Sequence, residues 1–490
     1  MTSNDSVITK EPFDWKRLLF MMIGIVLFTV VYYSSPWPDA VDPMGKHFEL
    51  TQQAKGALAL FLLAGTFWVF EVIPIGVTSI LIGVVQALFF IRPASQAFKD
   101  FMDPSVLFIF GSLTIGTVFT KVGLTKRLAY KMLMIVGEKT SRIYLGCFVV
   151  TALLTHIMAH TAVAATMYPL LLAIYSLYST DAKPSRFGKG LFIGMAFVAG
   201  AGSIITLLGA ARGIVALSFF KEFTNQDISF FELSYYMFPL GWLMVFLLWG
   251  LFMIILKPEK DTIPGLKEKV RHLNNEMGPL SRDEILSAVI VGGSILFLSL
   301  QSFIPALQAF NKAAIILVGT ILFFIFKILD IHDLESIPLN IIFLFAGAMS
   351  IGFCLWQTGA AEWMAINWLG LFKESHWFVF VMGITVFVLI MTNFIMNVAA
   401  IAISLPVALV VAPYLGIAAH IILFVALAAA GMPFLLLVGA APNAIAYNSK
   451  QFTSGEFFAY GIPASILLLI VIGLFTYFIW PLMGMPITLN

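Results

Sequence analysis

Two apolar stretches of this chain echo each other. Residues 151–169 read TALLTHIMAHTAVAATMYP, and residues 388–406 read VLIMTNFIMNVAAIAISLP. At an offset of 237, Thr155 falls on Thr392, His160 on Asn397 and Pro169 on Pro406. Each stretch sets a short tip, Ala159-His160-Thr161 or Met396-Asn397-Val398, between two apolar arms. Upstream, Gly111, Ile115, Gly116 and Gly123 match Gly347, Ile351, Gly352 and Gly359 at an offset of 236. Downstream, Gly209-Ala210-Ala211-Arg212-Gly213 matches Gly439-Ala440-Ala441-Pro442-Asn443 at an offset of 230. Three matches in one order point to an internal duplication. Paired, interrupted apolar segments in corresponding halves point to the binding site of a transporter.

Composition places that duplication in a membrane. The chain is 60% hydrophobic and 11% charged, where a soluble domain carries about 25% charged residues. Several apolar runs reach the roughly 20 residues that cross a bilayer as helix. The expected class is an all-α polytopic membrane protein, with no room for a large soluble domain. Cys147 and Cys354 lie inside apolar runs and read as small core residues. The run after Lys16-Arg17 lacks a small-residue cleavage site and reads as the first span rather than a leader.

Eleven spans are expected, at 17–36, 55–73, 74–92, 105–121, 187–220, 235–256, 285–303, 313–329, 341–357, 419–447 and 457–481, with re-entrant hairpins at 142–179 and 375–415. The spans at 187–220 and 419–447 are interrupted by the Gly-Ala-Ala elements. Such backbone is tolerated at membrane depth only where it is buried in protein or lines a cavity. The pieces near 125–137 and 362–371 read as interfacial helices. The outer segments hold seven basic residues, Lys46, Lys55, Arg92, Lys99, Lys221, Lys312 and Lys373, and the inner ones nearly all the rest. That bias sets the N-terminus in the cytoplasm and the C-terminus outside. Hairpin one, flanked by Arg142, Lys183, Arg186 and Lys189, enters from the cytoplasm. Five spans then separate residues 105 and 340, so the repeats are inverted. The divisions are scaffold helices at 1–104, a first repeat at 105–256, a cytoplasmic connector at 257–283, further scaffold at 284–339, and the second repeat at 340–490.

Arg212 belongs to no loop. An arginine at membrane depth costs about 2.5–3.5 kcal/mol on insertion scales. It either satisfies carbonyls of the broken helix or stands as a fixed positive charge at an anion site. His156 and His160 share a helical face, but no nearby carboxylate or thiol completes a metal set. His156 reads as a buried, hydrogen-bonded histidine and His160 as a residue near the ligand. Thr161, Asn397 and Asn443 suit carboxylate or sulfate oxygens beside helix N-termini, or cap half-helices. Pro442 would shape the wall. Thr155, Thr392, Gly209 and Gly439 are supporting positions by their repetition. Glu71 reads as a cap or the partner of a basic residue. No nucleophile–base–acid set, metal set or cofactor fingerprint argues for an enzyme, and the mixed charges of the connector argue against nucleic-acid binding. The net-basic core argues for a small anionic substrate.

With these residues in place, the chain resembles the divalent anion/sodium symporter family from Glu71 onward. The resemblance rests on the Glu-x-x-Pro element at Glu71 and Pro74, the two tips, and Ala441-Pro442-Asn443-Ala444-Ile445. It implies transport of dicarboxylates, citrate or sulfate. It also implies a homodimer, a scaffold, and a transport domain that carries the site across the bilayer by an elevator motion. The family's tips usually read Ser-Asn-Thr, and its broken helices carry Thr-Pro-Pro-Asn type elements. This chain departs from that pattern near Ala159, Gly213, Met396 and Val398, where sodium would sit. The expectation is a plasma-membrane exchanger of C4 and C5 dicarboxylates such as malate, succinate, fumarate or 2-oxoglutarate. It would use no cofactor and no sodium, with Arg212 and His160 supplying the missing charge. The alternative is a sodium-coupled dicarboxylate or sulfate symporter. An anion channel is the remaining rival, disfavoured by the repeats.

Overall fold

The structure, a computed structural model, describes residues 15–41, 45–179, 184–372 and 376–489, with backbone alone for 368–372. Lys183, Lys373 and the first residue expected for hairpin two lie outside the described residues. The chain is nearly all helix. Among the described residues the strands are a two-residue antiparallel pair, Ala40–Val41 with His47–Phe48.

Nine described helices are long and apolar enough to cross a membrane. Six answer to expected spans: Trp15–Tyr33, Ala94–Lys121, Phe230–Ile255, Arg282–Leu300, Leu339–Gln357 and Ser454–Leu482. The other three are hairpin arms, His160–Tyr178, Trp377–Phe394 and Asn397–Tyr414. The expected spans near 74–92 and 313–329 appear as the shorter helices Ile75–Leu88 and Lys312–Ile325. The two interrupted spans are pairs of half-helices. Arg186–Gly202 and Arg212–Thr224 flank a break at 203–211, and Ala419–Ala430 and Ala441–Tyr447 flank one at 431–440. Each break begins well before the Gly-Ala-Ala element, which marks only its end.

The helix ends follow local chemistry. Ser281 and Thr453 open their helices with capping boxes to Glu284 and Glu456, which satisfies otherwise orphaned N–H groups. The expected interfacial pieces are the helices Leu124–Val136 and Ala360–Phe372. Gly123 and Gly137 bracket the first in left-handed or positive-φ backbone, at φ 86° and 75°, where a Cβ would be strained. Arg127 on this helix donates to the carboxylate of Glu284 at 2.6 and 3.0 Å and to the carbonyl of Gly278 at 2.8 Å. It thereby ties the piece to the start of Arg282–Leu300.

The duplicated glycines have matching mechanical roles. A Cβ on Gly111 would lie 2.5 Å from Ile316, and one on Gly347 would lie 2.4 Å from Ser79. In each half, then, a missing side chain seats a long helix against a shorter one, Lys312–Ile325 in one case and Ile75–Leu88 in the other. The two cysteines are buried and unpaired, as expected.

The connector is folded onto hairpin one. Glu259 accepts from the Tyr178 hydroxyl at 2.9 Å and from the backbone N–H of Arg186 and Phe187 at 2.5 and 3.2 Å. Thr140 donates its N–H to the Asp261 carbonyl at 3.0 Å and its hydroxyl to the Lys260 carbonyl at 2.8 Å. Residues 259–261 thus staple both ends of the hairpin to the start of the first broken helix.

Candidate functional site

Tip one lies where two half-helices begin. Thr140–Thr155 and His160–Tyr178 form the hairpin, and no side chain caps the helix that starts at His160. The same holds for the helix that starts at Arg212. The first N–H groups of a helix lack partners within it and carry partial positive charge. The His160 N–H is the exception here: it donates to the Gly209 carbonyl at 3.0 Å, and its Nδ1 lies 3.2 Å from the same oxygen. That pair of contacts fixes tip one against break one.

A cavity of about 780 Å³ spreads from this junction. His160, Thr161, Ala210 and Ala211 form its inner end, and Lys121, Thr125, Lys126 and Leu273 line it towards the connector. Its walls are helices Pro104–Lys121 and His160–Tyr178, with Phe345 from Leu339–Gln357. Phe108, 1% exposed, lines both this cavity and a second one of about 1090 Å³. The second cavity is lined by Lys221, Asp227, Gln301 and Lys312. The two cavities thus share a wall at Phe108.

Arg212 lines neither cavity. It is 2% exposed and turns behind the tip. Its Nη2 donates to the Ser203 hydroxyl at 2.7 Å, while its Nη1 is buried with no partner. A Cβ on Gly431 would lie 2.8 Å from Nη2, so the guanidinium is wedged between break one and the start of break two. Among the described residues it has no carboxylate partner. Of the two sequence alternatives, carbonyl satisfaction is not what its contacts among the described residues show: its partner is a hydroxyl, and one nitrogen is left over.

Tip two is built differently. Asn397 is 7% exposed, and its Oδ1 pairs with the Thr392 hydroxyl at 3.1 Å. The same hydroxyl lies 3.0 Å from the Ala430 carbonyl. Asn443 is 2% exposed and donates its amide to the carbonyls of Pro433 and Leu436 at 2.9 and 3.1 Å. Pro442 is buried at the start of the second half-helix. None of Asn397, Pro442 and Asn443 lines the 780 Å³ cavity. Met396 instead lines a cavity of about 260 Å³, together with Glu71. The structure thus brings His160, Thr161 and Ala159 to one cavity, sets Arg212 behind them, and keeps the second-half residues apart.

Two expectations need correction. His156 is buried but only loosely hydrogen-bonded: its ring meets the Gly202 backbone without good geometry, neither nitrogen has another partner among the described residues, and the ring meets Trp242 edge-on at 5.7 Å. Glu71 is neither cap nor ion-pair partner among the described residues. It sits in left-handed backbone at φ 45°, and the nearby Arg17 Nε donates to the Val72 carbonyl at 2.6 Å. Among the described residues no cluster of three or more potential metal ligands occurs.

The supporting positions repeat in space as well as in sequence. A Cβ on Gly209 would lie 2.4 Å from the Thr155 carbonyl, and one on Gly439 would lie 2.9 Å from that of Thr392. In both halves the break is seated on the same threonine of its own hairpin. Asn393 was missed. Its Oδ1 accepts from the N–H of Leu435 and Leu436 at 2.8 and 3.2 Å, clamping break two. The available signal was its place beside Thr392, opposite His156 at the same offset of 237. Ser203, Gly431 and Thr125 carried no sequence signal of their own.

Comparison with known proteins agrees with this architecture. Residues 16–486 match the family model described as the sodium:sulfate symporter transmembrane region. A sodium-dependent dicarboxylate transporter, SdcS, of Staphylococcus saprophyticus is 24% identical over 98% of this chain and 94% of its own. An uncharacterized transporter of Haemophilus influenzae is 23% identical over 95% and 97%. Among solved structures, Neisseria gonorrhoeae MtrF, from a class described as antimetabolite efflux pumps, superposes with a TM-score of 0.54 at 14% identity. It covers 94% of this chain and 93% of MtrF. The Alcanivorax borkumensis YdaH transporter superposes with a TM-score of 0.52 at 10% identity, over 96% and 98%. Those two likenesses show the fold alone. The match over nearly its whole length makes this multi-pass chain a member of the sodium:sulfate symporter family of membrane transporters, not an enzyme.

Proposed function

We propose that the chain exchanges C4 and C5 dicarboxylates, such as malate, succinate, fumarate and 2-oxoglutarate, across the plasma membrane without sodium. The observation that carries this reading is Arg212, a buried cation with no carboxylate partner among the described residues, behind an uncapped tip. A dianion entering an apolar site needs compensation, because an unpaired buried charge is expensive. Here Arg212, the two helix N-termini and the His160 ring would provide it from the protein. Thr161 would hydrogen-bond a carboxylate in the cavity, and Asn397, Pro442 and Asn443 would complete the site from the second half when the halves come together. An empty carrier would keep its uncompensated cation and cross reluctantly, which favours exchange.

The proposed motion is an elevator. Hairpins and broken helices would move as a body past scaffold residues 1–104 and 284–339, with the positive-φ glycines at either end of Leu124–Val136 as pivots. Trp15–Tyr33 and Arg282–Leu300 are among the least buried spans, 17% and 28%. That leaves their apolar faces for lipid or for the second copy of a homodimer. With the basic connector in the cytoplasm, the 780 Å³ cavity would face inward, the N-terminus would be inside and the C-terminus outside.

A second reading, sodium-coupled symport of the same acids or of sulfate, is favoured by the SdcS relatives, which are named as sodium-dependent dicarboxylate transporters. Sodium would then be held by carbonyls near Ala159, Gly213, Met396 and Val398. Efflux of labelled malate from proteoliposomes, with and without external dicarboxylate, in sodium and in choline, separates the two. The exchange reading requires efflux that depends on external dicarboxylate and ignores sodium. Sodium-dependent uptake into vesicles free of internal substrate sinks it in favour of symport.

A further inference from the structure

We infer that the tip-one cavity binds anions carrying an apolar body, with a carboxylate at His160–Thr161 and a chain or ring along the walls towards Thr125. The inference rests on the proposed reading of this cavity as the substrate site, and names a substrate class that reading does not require.

Size is the first argument. The volume of about 780 Å³ lies in the range of about 300–1,000 Å³ typical of pockets for drug-sized ligands. A succinate of about eight non-hydrogen atoms leaves much of such a pocket empty. Length is the second. On helix His160–Tyr178 the cavity face runs through Thr161, Ala165, Pro169 and Ala173, positions four apart on one stripe. That stripe is about 18 Å long at 1.5 Å per residue.

The third argument is where the polar groups point. Hydroxyls occur midway along the cavity, yet each donates to the backbone of its own helix. Thr117 donates to the Leu113 carbonyl at 3.3 Å, Thr120 to that of Gly116 at 2.9 Å, and Thr166 to that of Ala162 at 2.9 Å. The middle of the cavity therefore offers an anion no free hydroxyl proton, and Ile109, Leu170 and Phe345 complete it with apolar wall. A small, wholly polar anion finds ligands at the tip and only water against apolar wall beyond it. An apolar body displaces that water favourably.

The far end supplies a fourth observation. Thr125 lines the cavity, is 1% exposed, and its hydroxyl has no partner among the described residues. An unsatisfied buried hydroxyl is costly and points to a group that completes it. Of the two lysines there, Lys121 is engaged by Asp330 and Asp333, whereas Lys126 is exposed and lies on the cavity lining. The cavity thus has two polar ends and an apolar waist, the pattern of an elongated amphiphile.

The test is competition against labelled succinate in proteoliposomes of the full chain. The probes are unlabelled succinate, 1,8-octanedioate, 2-phenylsuccinate and, as an uncharged control, 3-phenylpropanol. Half-inhibition by 2-phenylsuccinate is expected at a concentration at least about tenfold below that of succinate, the gain expected from burying a ring. 1,8-Octanedioate should fall between them, and 3-phenylpropanol should compete far more weakly. Ala165→Leu, which narrows the waist from an exposed helical position, should shrink the ratio between 2-phenylsuccinate and succinate towards one. The competitor series in the native chain decides the matter even if that variant does not fold. Equal or weaker competition by 2-phenylsuccinate, with labelled succinate still moving, overturns this inference and leaves the dicarboxylate reading standing. Equal competition by 3-phenylpropanol overturns it too, since the anionic head would then count for nothing. If neither labelled succinate nor labelled 2-phenylsuccinate moves, the dicarboxylate reading itself fails and takes this inference with it.

Discussion

Hairpin one and hairpin two start from one sequence pattern and end in opposite surroundings. The outgoing helix of hairpin two is 83% buried along its span, and that of hairpin one 39%. Tip one borders a cavity of about 780 Å³; tip two has Asn397 locked to Thr392 and one of about 260 Å³ beside it. Their clamps differ in kind as well. In half two, the Asn393 side chain holds the backbone of break two. In half one, the equivalent His156 ring makes only a loose contact with the Gly202 backbone, and the firm connection is made in reverse: the Thr206 hydroxyl of break one donates to the His156 carbonyl at 2.8 Å. The duplicated frame is preserved through backbone contacts, at Thr155–Gly209 and Thr392–Gly439, while the side chains around it have diverged. A repeat can therefore keep its geometry and still place its halves in different surroundings, one bordering a large cavity and the other closed.

The sharpest way to break that comparison is Arg212→Met. A charge buried without a counter-charge is costly, and an apolar side chain of similar length removes that cost. We expect exchange to vanish while the melting temperature holds or rises. Retained exchange with a lower melting temperature would make Arg212 a structural residue and return the two halves to equal roles.

Glycine to alanine at the two seats probes the shared frame. A Cβ at Gly209 would meet the Thr155 carbonyl at 2.4 Å and two backbone atoms of Ser203 at 2.7 and 2.8 Å. At Gly439 the nearest atoms are Pro433 Cβ at 2.7 Å and the Thr392 carbonyl at 2.9 Å. Overpacking costs typically about 1–3 kcal/mol. Gly209→Ala should sit at the top of that range and Gly439→Ala near the bottom, read by denaturation in detergent. The reverse order would mean that break one is the looser of the two.

The clamps come next. Asn393→Leu leaves two N–H groups of break two without their acceptor, which costs about 1–3 kcal/mol each where they stay buried. His156→Leu removes no hydrogen bond of good geometry and should change stability by less than about 1 kcal/mol. Equal losses would show that His156 holds break one through a contact with the nearby Gly202 backbone.

How much of this could be read from the chain alone depends on which level carries the information. Hairpins, breaks and the two short connecting helices were legible, because they follow from apolar runs, Gly-rich interruptions and an offset that repeats. Thr155 and Thr392 were legible for the same reason, and their role as seats for the breaks follows from it. The direction of Arg212 was not: a sequence shows that a cation lies at membrane depth but not that it turns away from the cavity towards Ser203 and Gly431. Nor was the difference between the tips. His160 and Asn397 align, and only the packing of helix Asn397–Tyr414 among its neighbours decides that one borders a large cavity and the other is enclosed. Asn393 was within reach through its alignment with His156 at the offset of 237, but an amide one helical turn before a tip does not by itself reveal which backbone it clamps.

The smallest effect separates the hairpins by their bases. Hairpin one is stapled by the connector through Glu259, whereas hairpin two is held mainly by apolar burial. Burial of the Glu259 carboxyl raises its pKa, but the N–H groups of Arg186 and Phe187 and the Tyr178 hydroxyl outweigh it, so the net shift is downward from 4.5. A carboxylate whose folded value is depressed stabilises the fold fully above its ordinary value, and that contribution fades as pH falls through the lowered one. Glu259 is partly exposed, so solvent screening keeps the effect modest. Below pH 4.5, amide exchange in residues 140–178, corrected for its intrinsic pH dependence, should therefore quicken relative to residues 377–414. Glu259→Gln should quicken it already at neutral pH and flatten the acid response. If the native chain loses protection equally in both hairpins as the pH drops, the connector is not a hairpin-one staple, and the asymmetry of the two halves resides in the tips alone.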